Sequence, residues 1–75
     1  MKIAKIVDAK RLACPMPIVR TKKAIEEIKS GELLEVHTTD KGSKSDITAW
    51  AESGGHNLLE SKEVDGVFIF RIIKG

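Results

Sequence analysis

The sequence predicts a two-layer α/β sandwich, in which a β-α-β-α-β-β chain forms a mixed four-stranded sheet with two helices on one face. Two segments carry apolar residues at helical spacing, and four others are rich in aliphatic residues, as strands are. The dipeptide Asp65-Gly66 separates the last two of these segments and is a strong signal for a two-residue hairpin turn. Strand–helix–strand connections are right-handed, so both helices should cover the same face. With 75 residues, the chain is expected to form a single domain, residues 1–75.

The first two strands are predicted at residues 2–8 and 33–39. In the first, Ile6 and Val7 stand side by side and blur the alternation of apolar and polar residues. The second alternates clearly, and the residues on its predicted buried face are Leu34, Val36 and Thr38. The last two strands are residues 57–64 and 67–73. The near-continuous apolar run of the final strand predicts a position inside the sheet rather than at its edge.

The two helices are predicted at residues 15–30 and from Ser43 or Ser45 to Gly54. The apolar stripe of the first helix consists of Ile18, Thr21, Ile25 and Ile28. Gly31 then suits the left-handed position that follows a helix end. One of the two serines is expected to cap the second helix. The stripe predicted to be buried on that helix consists of Ile47, Trp50 and Ala51.

The composition indicates a small protein held together by an aliphatic core. One cysteine cannot form an internal disulfide, and 41% of the residues are hydrophobic although only 4% are aromatic. A lone thiol in so small a chain favours a reducing compartment. The sequence shows no signal peptide and no apolar run near the roughly 20 residues of a membrane span. A cytoplasmic location is therefore expected.

The only cysteine, Cys14, is followed by the only two prolines, Pro15 and Pro17. Proline suits the first turn of a helix, where backbone N–H groups have no helical partner, and Pro15 favours an extended Cys14. The positive helix end, with Arg11 and Arg20 nearby in sequence, favours the thiolate. If the thiol pKa fell from ~8.5 to ~7, over half of the molecules would be thiolate at cytosolic pH. The sequence thus predicts a reactive and partly exposed Cys14.

An inert Cys14 is the alternative, because a single cysteine is often a small buried hydrophobe. Two prolines at fixed offsets from one cysteine would occur by chance in about 1 case in 400, which favours a functional thiol. No second cysteine exists to close a Cys-x-x-Cys disulfide, and neither His37 nor His56 is placed beside Cys14 by the sequence as a catalytic base. A lone thiolate is best suited to carry sulfur as a persulfide, Cys–S–SH.

Four segments of the chain match the motifs of one known family. VDAKRLACPMP is similar to its leading Asp, Leu and Cys-Pro-x-Pro, and DKGSKSDITAWA to its second block. GGHNLLE is similar to its Gly-His-x-Leu-Leu segment, and DGVFIFRIIKG to its closing hairpin. Nearly the whole chain therefore resembles the TusA/SirA-like sulfur-carrier family. That family usually has Gly at the position of Arg11 and often Pro at that of Lys41, and its members that serve tRNA thiolation have Arg at that of Ser45.

The resemblance implies a cytoplasmic carrier that holds persulfide sulfur on Cys14, with the fold predicted above. It implies a cysteine desulfurase or a rhodanese-type protein as sulfur donor and a downstream acceptor protein, as in tRNA thiolation or related pathways. The residues expected to support the thiol are Asp8, Arg11, Pro15, Pro17 and Arg20. The second block is expected to help form a docking surface, and its candidate residues are Asp40, Gly42, Lys44 and Asp46. No cofactor or metal is expected.

Three other interpretations of the sequence remain open. The chain could be a regulatory or interaction module in which Cys14 is structural. Nucleic-acid binding is less favoured, because the net charge is only +2, the pI of 8.8 is modest and the first helix mixes charge signs. No direct nucleic-acid contact is therefore expected. A metal site formed by Cys14 with His37 or His56 has no support from ligand spacing.

Overall fold

The computed structural model describes residues 3–13 and 16–75. Its elements follow the predicted β-α-β-α-β-β order and form a mixed four-stranded sheet with two helices. The elements are β1 (Ile3–Ala9), α1 (Met16–Glu26), β2 (Leu33–Thr38), α2 (Ser43–Ser53), β3 (Asn57–Val64) and β4 (Val67–Ile73). The predicted fold class is confirmed.

The strand order in the sheet is β1-β2-β4-β3. β1 pairs with β2 in parallel, whereas β4 pairs antiparallel with both β2 and β3. The final strand therefore lies inside the sheet, as its apolar run predicts. The hairpin turn is also as predicted: Asp65 and Gly66 have φ values of 50° and 80°. Positive φ at both central residues is typical of a type I′ turn, whose twist matches that of the flanking strands.

Helix α1 is shorter than the sequence predicts, because it ends at Glu26 rather than near residue 30. Gly31 does have a positive φ of 88°, but it lies beyond the helix and not directly after its end. Its N–H donates to the Lys74 carbonyl oxygen at 2.8 Å, and the Lys74 N–H donates to Glu32 O at 3.0 Å. The segment after Glu26 is thus bonded to the chain beyond β4, and this competes with continued helix.

Helix α2 begins without the side-chain cap that the sequence predicts. Its N-cap residue is Gly42, and no side-chain capping bond is made there. The hydroxyl of Ser43 instead donates to the Asp40 carbonyl oxygen at 2.6 Å and lies 2.5 Å from Thr38 Oγ1. Ser43 is therefore used to hold the end of β2 against the start of α2. Asp46 lies in the first turn, as predicted.

The core lies between the two helices and one face of the sheet. Its fully enclosed side chains come from both helices and from β1, β2 and β4, and include Leu34, Val36, Ile47, Phe70 and Ile72. Ala24 and Ile25 of α1 join the same cluster, so both helices cover the same face. Trp50 lies at the margin of the core, where it is only partly buried and packs against the His56 ring at a centroid distance of 5.0 Å.

The opposite face of the sheet carries a network of charged side chains centred on Glu35. Glu35 accepts hydrogen bonds from His37 Nε2 at 2.8 Å and from Arg71 Nε at 2.9 Å. Arg71 also bonds Glu60 on β3. Burial raises the pKa of Glu35, but the hydrogen bonds from His37 and Arg71 outweigh burial, so the pKa lies below its usual value.

Candidate functional site

The loops that follow β1 and β2, both singled out by the sequence, leave the sheet at the same end. β1 and β2 are parallel, and the last residues of both strands, Ala9 and Thr38, pair with each other. The segment that contains Cys14 and the turn before α2 therefore start side by side. The Arg11 N–H donates to Thr39 Oγ1 at 2.8 Å and joins the two loops directly.

The thiol itself is not part of the described structure. Cys14 and Pro15 lie outside the described residues, so the predicted exposure of the thiol at the start of α1 stays a prediction. The flanking chain is well held. The Met16 N–H donates to the Ala13 carbonyl oxygen at 2.9 Å, and Pro17 is fully buried as the second residue of α1.

Arg11 has a backbone conformation that an arginine rarely adopts. Its φ is 68°, in the left-handed region that costs a residue with a Cβ about 1 kcal/mol. This explains in physical terms why glycine suits this position in the family that the sequence resembles. The Asp8 carboxylate accepts the Lys10 N–H at 3.2 Å and helps to form the turn. Asp8, Lys10, Arg11 and Thr39 together line a shallow groove of about 370 Å³.

Asp8 also borders a larger groove, which separates the outer edge of β1 from α1. The groove has a volume of about 600 Å³. Arg20 lines it from α1, so the structure places Asp8 and Arg20 on one surface and Asp8 and Arg11 on the adjoining one. We call the larger groove, of about 600 Å³, the β1–α1 groove. Lys5 and Glu27 form an ion pair across it, and this pair holds the pKa of Glu27 below its usual value.

The four residues that the sequence predicts for docking lie together in the turn before α2 and its first turn. Gly42 is the N-cap of α2, and its Cα lies close enough to Asp40 that an added Cβ would stand 3.5 Å from the Asp40 carboxylate. Lys44 is exposed, whereas Asp40 and Asp46 are half-buried. A role in docking remains a proposal, and Gly42 and Lys44 are the exposed members of the set.

Sequence reasoning missed part of the β1–α1 groove. Val19 and Lys23 of α1 and Ile6 of β1 line it, and Ile6 and Val19 are exposed by 57% and 48%. A signal was present for both apolar residues. Val19 does not belong to the apolar stripe of its helix, and Ile6 breaks the alternation beside Val7. In the structure Val7 points into the core and Ile6 to the outside.

Both histidines have hydrogen-bond partners among the described residues. His37 bonds Glu35, and His56 Nδ1 accepts the Gly75 N–H at 3.0 Å. Within residues 3–13 and 16–75, no group of three or more His, Cys, Asp or Glu side chains could hold a metal ion. No helix in that part of the chain is long and apolar enough to cross a membrane.

Comparison with known proteins decides the family. A family model described as sulfurtransferase TusA matches residues 5–74, nearly the whole chain. The chain belongs to the TusA family. It is 61% identical to YrkI of Bacillus subtilis (strain 168) over 75 residues, which cover all of both chains. It is 47% identical over 68 residues to the sulfur carrier protein TusA of Allochromatium vinosum, covering 91% of this chain and 90% of that protein.

The TusA fold is also seen in a similar solved structure. The crystal structure of a SirA-like protein from Desulfitobacterium hafniense superposes with a TM-score of 0.84 and 30% sequence identity, covering 95% of this chain and 97% of that one. The predicted membership of the TusA/SirA-like family is thereby confirmed. Membership in a sulfur-carrier family implies partners in sulfur relay.

Proposed function

We propose that this TusA-family protein carries sulfane sulfur as a persulfide on Cys14 and relays it from a donor protein to an acceptor protein. The donor is a cysteine desulfurase or a rhodanese-type protein, and the acceptor serves tRNA thiolation or a related sulfur-transfer pathway. The proposed carrier domain spans residues 1–75 and acts in the cytoplasm, where thiols stay reduced. No contact of this chain with nucleic acid is required.

Both transfer steps are exchanges at sulfur that need no oxidant. In loading, the Cys14 thiolate attacks the terminal sulfur of the donor persulfide, R–S–SH. The S–S bond of the donor breaks, the donor leaves as a thiolate, and Cys14–S–SH forms. In delivery, an acceptor thiolate attacks the terminal sulfur of that persulfide, and Cys14 leaves as a thiolate. The carrier is thus returned to its starting state.

The observation that carries the proposal is that a chain of a sulfur-carrier family holds only one cysteine. Any sulfur carried on a thiol must therefore use Cys14. The surroundings support this chemistry, because Lys10 and Arg11 lie in the turn after β1, Arg20 lies on α1, and all three are exposed. Positive charge near a thiol favours the thiolate that both steps require.

The test is transfer of radiolabelled sulfur from cysteine by a purified cysteine desulfurase, followed by release to an acceptor thiol. The wild-type protein should gain one sulfur, about 32 mass units by mass spectrometry. Cys14→Ser keeps nearly the same size but cannot hold sulfane sulfur, so it should fold normally and take up no label. Equal labelling of the two proteins would overturn the proposal. A wild-type chain that stays unlabelled would favour a regulatory or interaction module with a structural Cys14.

A further inference from the structure

The outer edge of β1 is an open sheet edge. β1 is the first strand in the order β1-β2-β4-β3, so it has one neighbour in the sheet that the structure describes. We infer that this edge binds an extended acidic segment of a sulfur-relay partner, which adds to β1 as a further strand in the β1–α1 groove. The inference depends on the proposed function in one respect: docking would serve to bring a partner's cysteine to Cys14.

The direction of the groove fits this purpose. The chain enters the Cys14 segment from β1 and leaves it through α1, so the end of the groove at Asp8 and Arg20 is the end closest to that segment along both elements. The ion pair between Lys5 and Glu27 lies at the opposite end. A strand that lies along β1 therefore extends toward Cys14 at one of its ends.

The charge of the lining favours an acidic occupant. The charge of Lys5 is matched by Glu27, and Lys23 further lowers the pKa of that carboxyl. Arg20 forms no ion pair with any residue in the described ranges. The adjoining groove adds Lys10 and the strained Arg11 against the single carboxylate of Asp8, so the net charge toward the cysteine segment stays positive. Carboxylates on the bound strand would meet these cations, as electrostatic complementarity requires.

The apolar lining fits a strand in particular. Side chains of an extended segment alternate between two sides, so strand addition requires pockets for every second residue and leaves the others to solvent. Val7 points into the core that α1 covers, whereas Ile6 pairs with Glu35 and points to the opposite face, where it offers an apolar contact to residues of the added strand. The alternate residues of that strand point toward α1, where Arg20 and Lys23 line the groove. The expected partner segment therefore alternates acidic and aliphatic residues.

The other sheet edge, β3, carries more of the features that usually protect open edges. β3 carries the charged residues Glu60, Lys62 and Glu63, and its pairing with β4 is irregular between Leu58 and Glu60. Charges and irregular pairing discourage strand addition. The pairing of β1 with β2 is irregular only at its start, between Ile3 and Lys5, and it is regular from Lys5 to Asp8.

The test uses two synthetic hexapeptides, Asp-Val-Asp-Val-Asp-Cys and Lys-Val-Lys-Val-Lys-Cys, each with its cysteine joined to thionitrobenzoate. Attack of the Cys14 thiolate on the peptide sulfur forms a Cys14–peptide disulfide and releases coloured thionitrobenzoate. At low ionic strength the acidic peptide should react roughly tenfold faster than the basic one, and salt should remove the difference. The ratio of the two rates is independent of the intrinsic reactivity of the thiol.

The control variants separate the groove from the net charge. Arg20→Glu/Lys23→Glu should reverse the preference between the peptides. Lys22→Glu/Lys29→Glu carries the same change of net charge on exposed residues outside the groove, and it should keep most of the preference. If both double variants lose the preference equally, attraction to the whole protein explains it and the groove is not the site.

The strand geometry needs its own measurement. An acidic peptide with alternate backbone nitrogens methylated keeps its charge but loses donors on one edge, and each lost bond should slow the reaction about fivefold. A serine version of the acidic peptide, titrated into Cys14→Ser protein, should shift the NMR amide resonances of residues 5–8 and leave those of 57–64 unmoved. This measurement needs no persulfide, so its result does not depend on whether the proposed function is correct. Unmoved residues 5–8, or shifts that reflect self-association of the chain at that edge, would overturn the inference.

Discussion

The Thr38 hydroxyl donates a hydrogen bond to Ser43 Oγ at 2.5 Å, and both side chains are closed off from solvent. The Ser43 hydroxyl has one proton, and it donates this proton to the Asp40 carbonyl oxygen. Thr38 must therefore be the donor in the bond between the two hydroxyls. This pair joins the end of β2 to the first residue of α2. It therefore fixes the turn that holds the candidate docking residues.

Ser43→Ala is expected to destabilise the protein by about 1–3 kcal/mol, because it leaves the buried Thr38 hydroxyl without a partner. The double variant Thr38→Val/Ser43→Ala should recover most of that loss, since both polar groups are then gone. The Asp40 carbonyl oxygen keeps the Ser43 N–H as its donor in both variants. Urea unfolding of the wild type, Ser43→Ala, Thr38→Val and the double variant measures the effect. Losses that simply add in the double variant would show that the two hydroxyls do not depend on each other.

Arg11→Gly is expected to raise the free energy of unfolding by about 0.5–1 kcal/mol, since glycine adopts a φ of 68° without steric cost. Arg11→Lys, which keeps both the Cβ and the charge, should leave stability unchanged. The same glycine variant should react more slowly with acidic acceptor peptides, because it removes a cation beside the cysteine segment. A glycine variant that is no more stable than wild type would mean that the turn does not hold position 11 in the left-handed region.

Acid is expected to destabilise the protein partly through Glu35. The pKa of Glu35 is lower in the folded protein than in the unfolded chain, so the carboxylate contributes stability above about pH 4.5 and loses it as pH falls through the folded pKa. The free energy of unfolding, measured in urea from pH 7 to pH 3, should fall less steeply in Glu35→Gln than in wild type. Glu27→Gln is the matched exposed control and should change the slope less, because solvent screens its pair with Lys5. Equal slopes in wild type and Glu35→Gln would exclude this role.

Pro17→Ala is expected to accept sulfur still but to transfer it more slowly. The change frees Met16 from the restriction that a following proline imposes, and it removes two methylene groups from a buried position, at about 1.5 kcal/mol. Label uptake and release to an acceptor thiol measure the two steps. Ile72→Val, a change in the buried core on β4, is the control, with a similar stability loss of about 1 kcal/mol. If it slows release as much as Pro17→Ala does, general destabilisation and not the stiff start of α1 sets the rate.

The strands were predictable because local chemistry decides them. Asp65-Gly66 specifies the hairpin on its own, and the two strands that flank it have the predicted bounds. The end of α1 was not predictable, because Gly31 bonds Lys74, a partner more than forty residues away. Ser43 was misread as a cap for a similar reason. A buried partner on another element, Thr38, takes its hydroxyl, and no local pattern reports such a partner.

The sequence was enough to propose the reactive group of the candidate site. Its single cysteine lies in a Cys-Pro-x-Pro segment, and the flanking cations are visible in the sequence. The β1–α1 groove was not, because it arises from two elements whose exposed residues have no common period. Ile6 and Val19 become related only in the structure, where Val7 and the α1 stripe face inward and both residues are left exposed at the same groove.

The place of β4 in the sheet has a consequence for the newly made protein. β4 is synthesised last of the described strands, yet β2 and β3 have no common neighbour without it. A ribosome that has not passed residue 73 therefore holds a chain in which Leu34 and Val36 lack the cross-strand partners Ile72 and Phe70. The four-stranded sheet can therefore close only after β4 has been synthesised, because β4 alone joins β3 to β2.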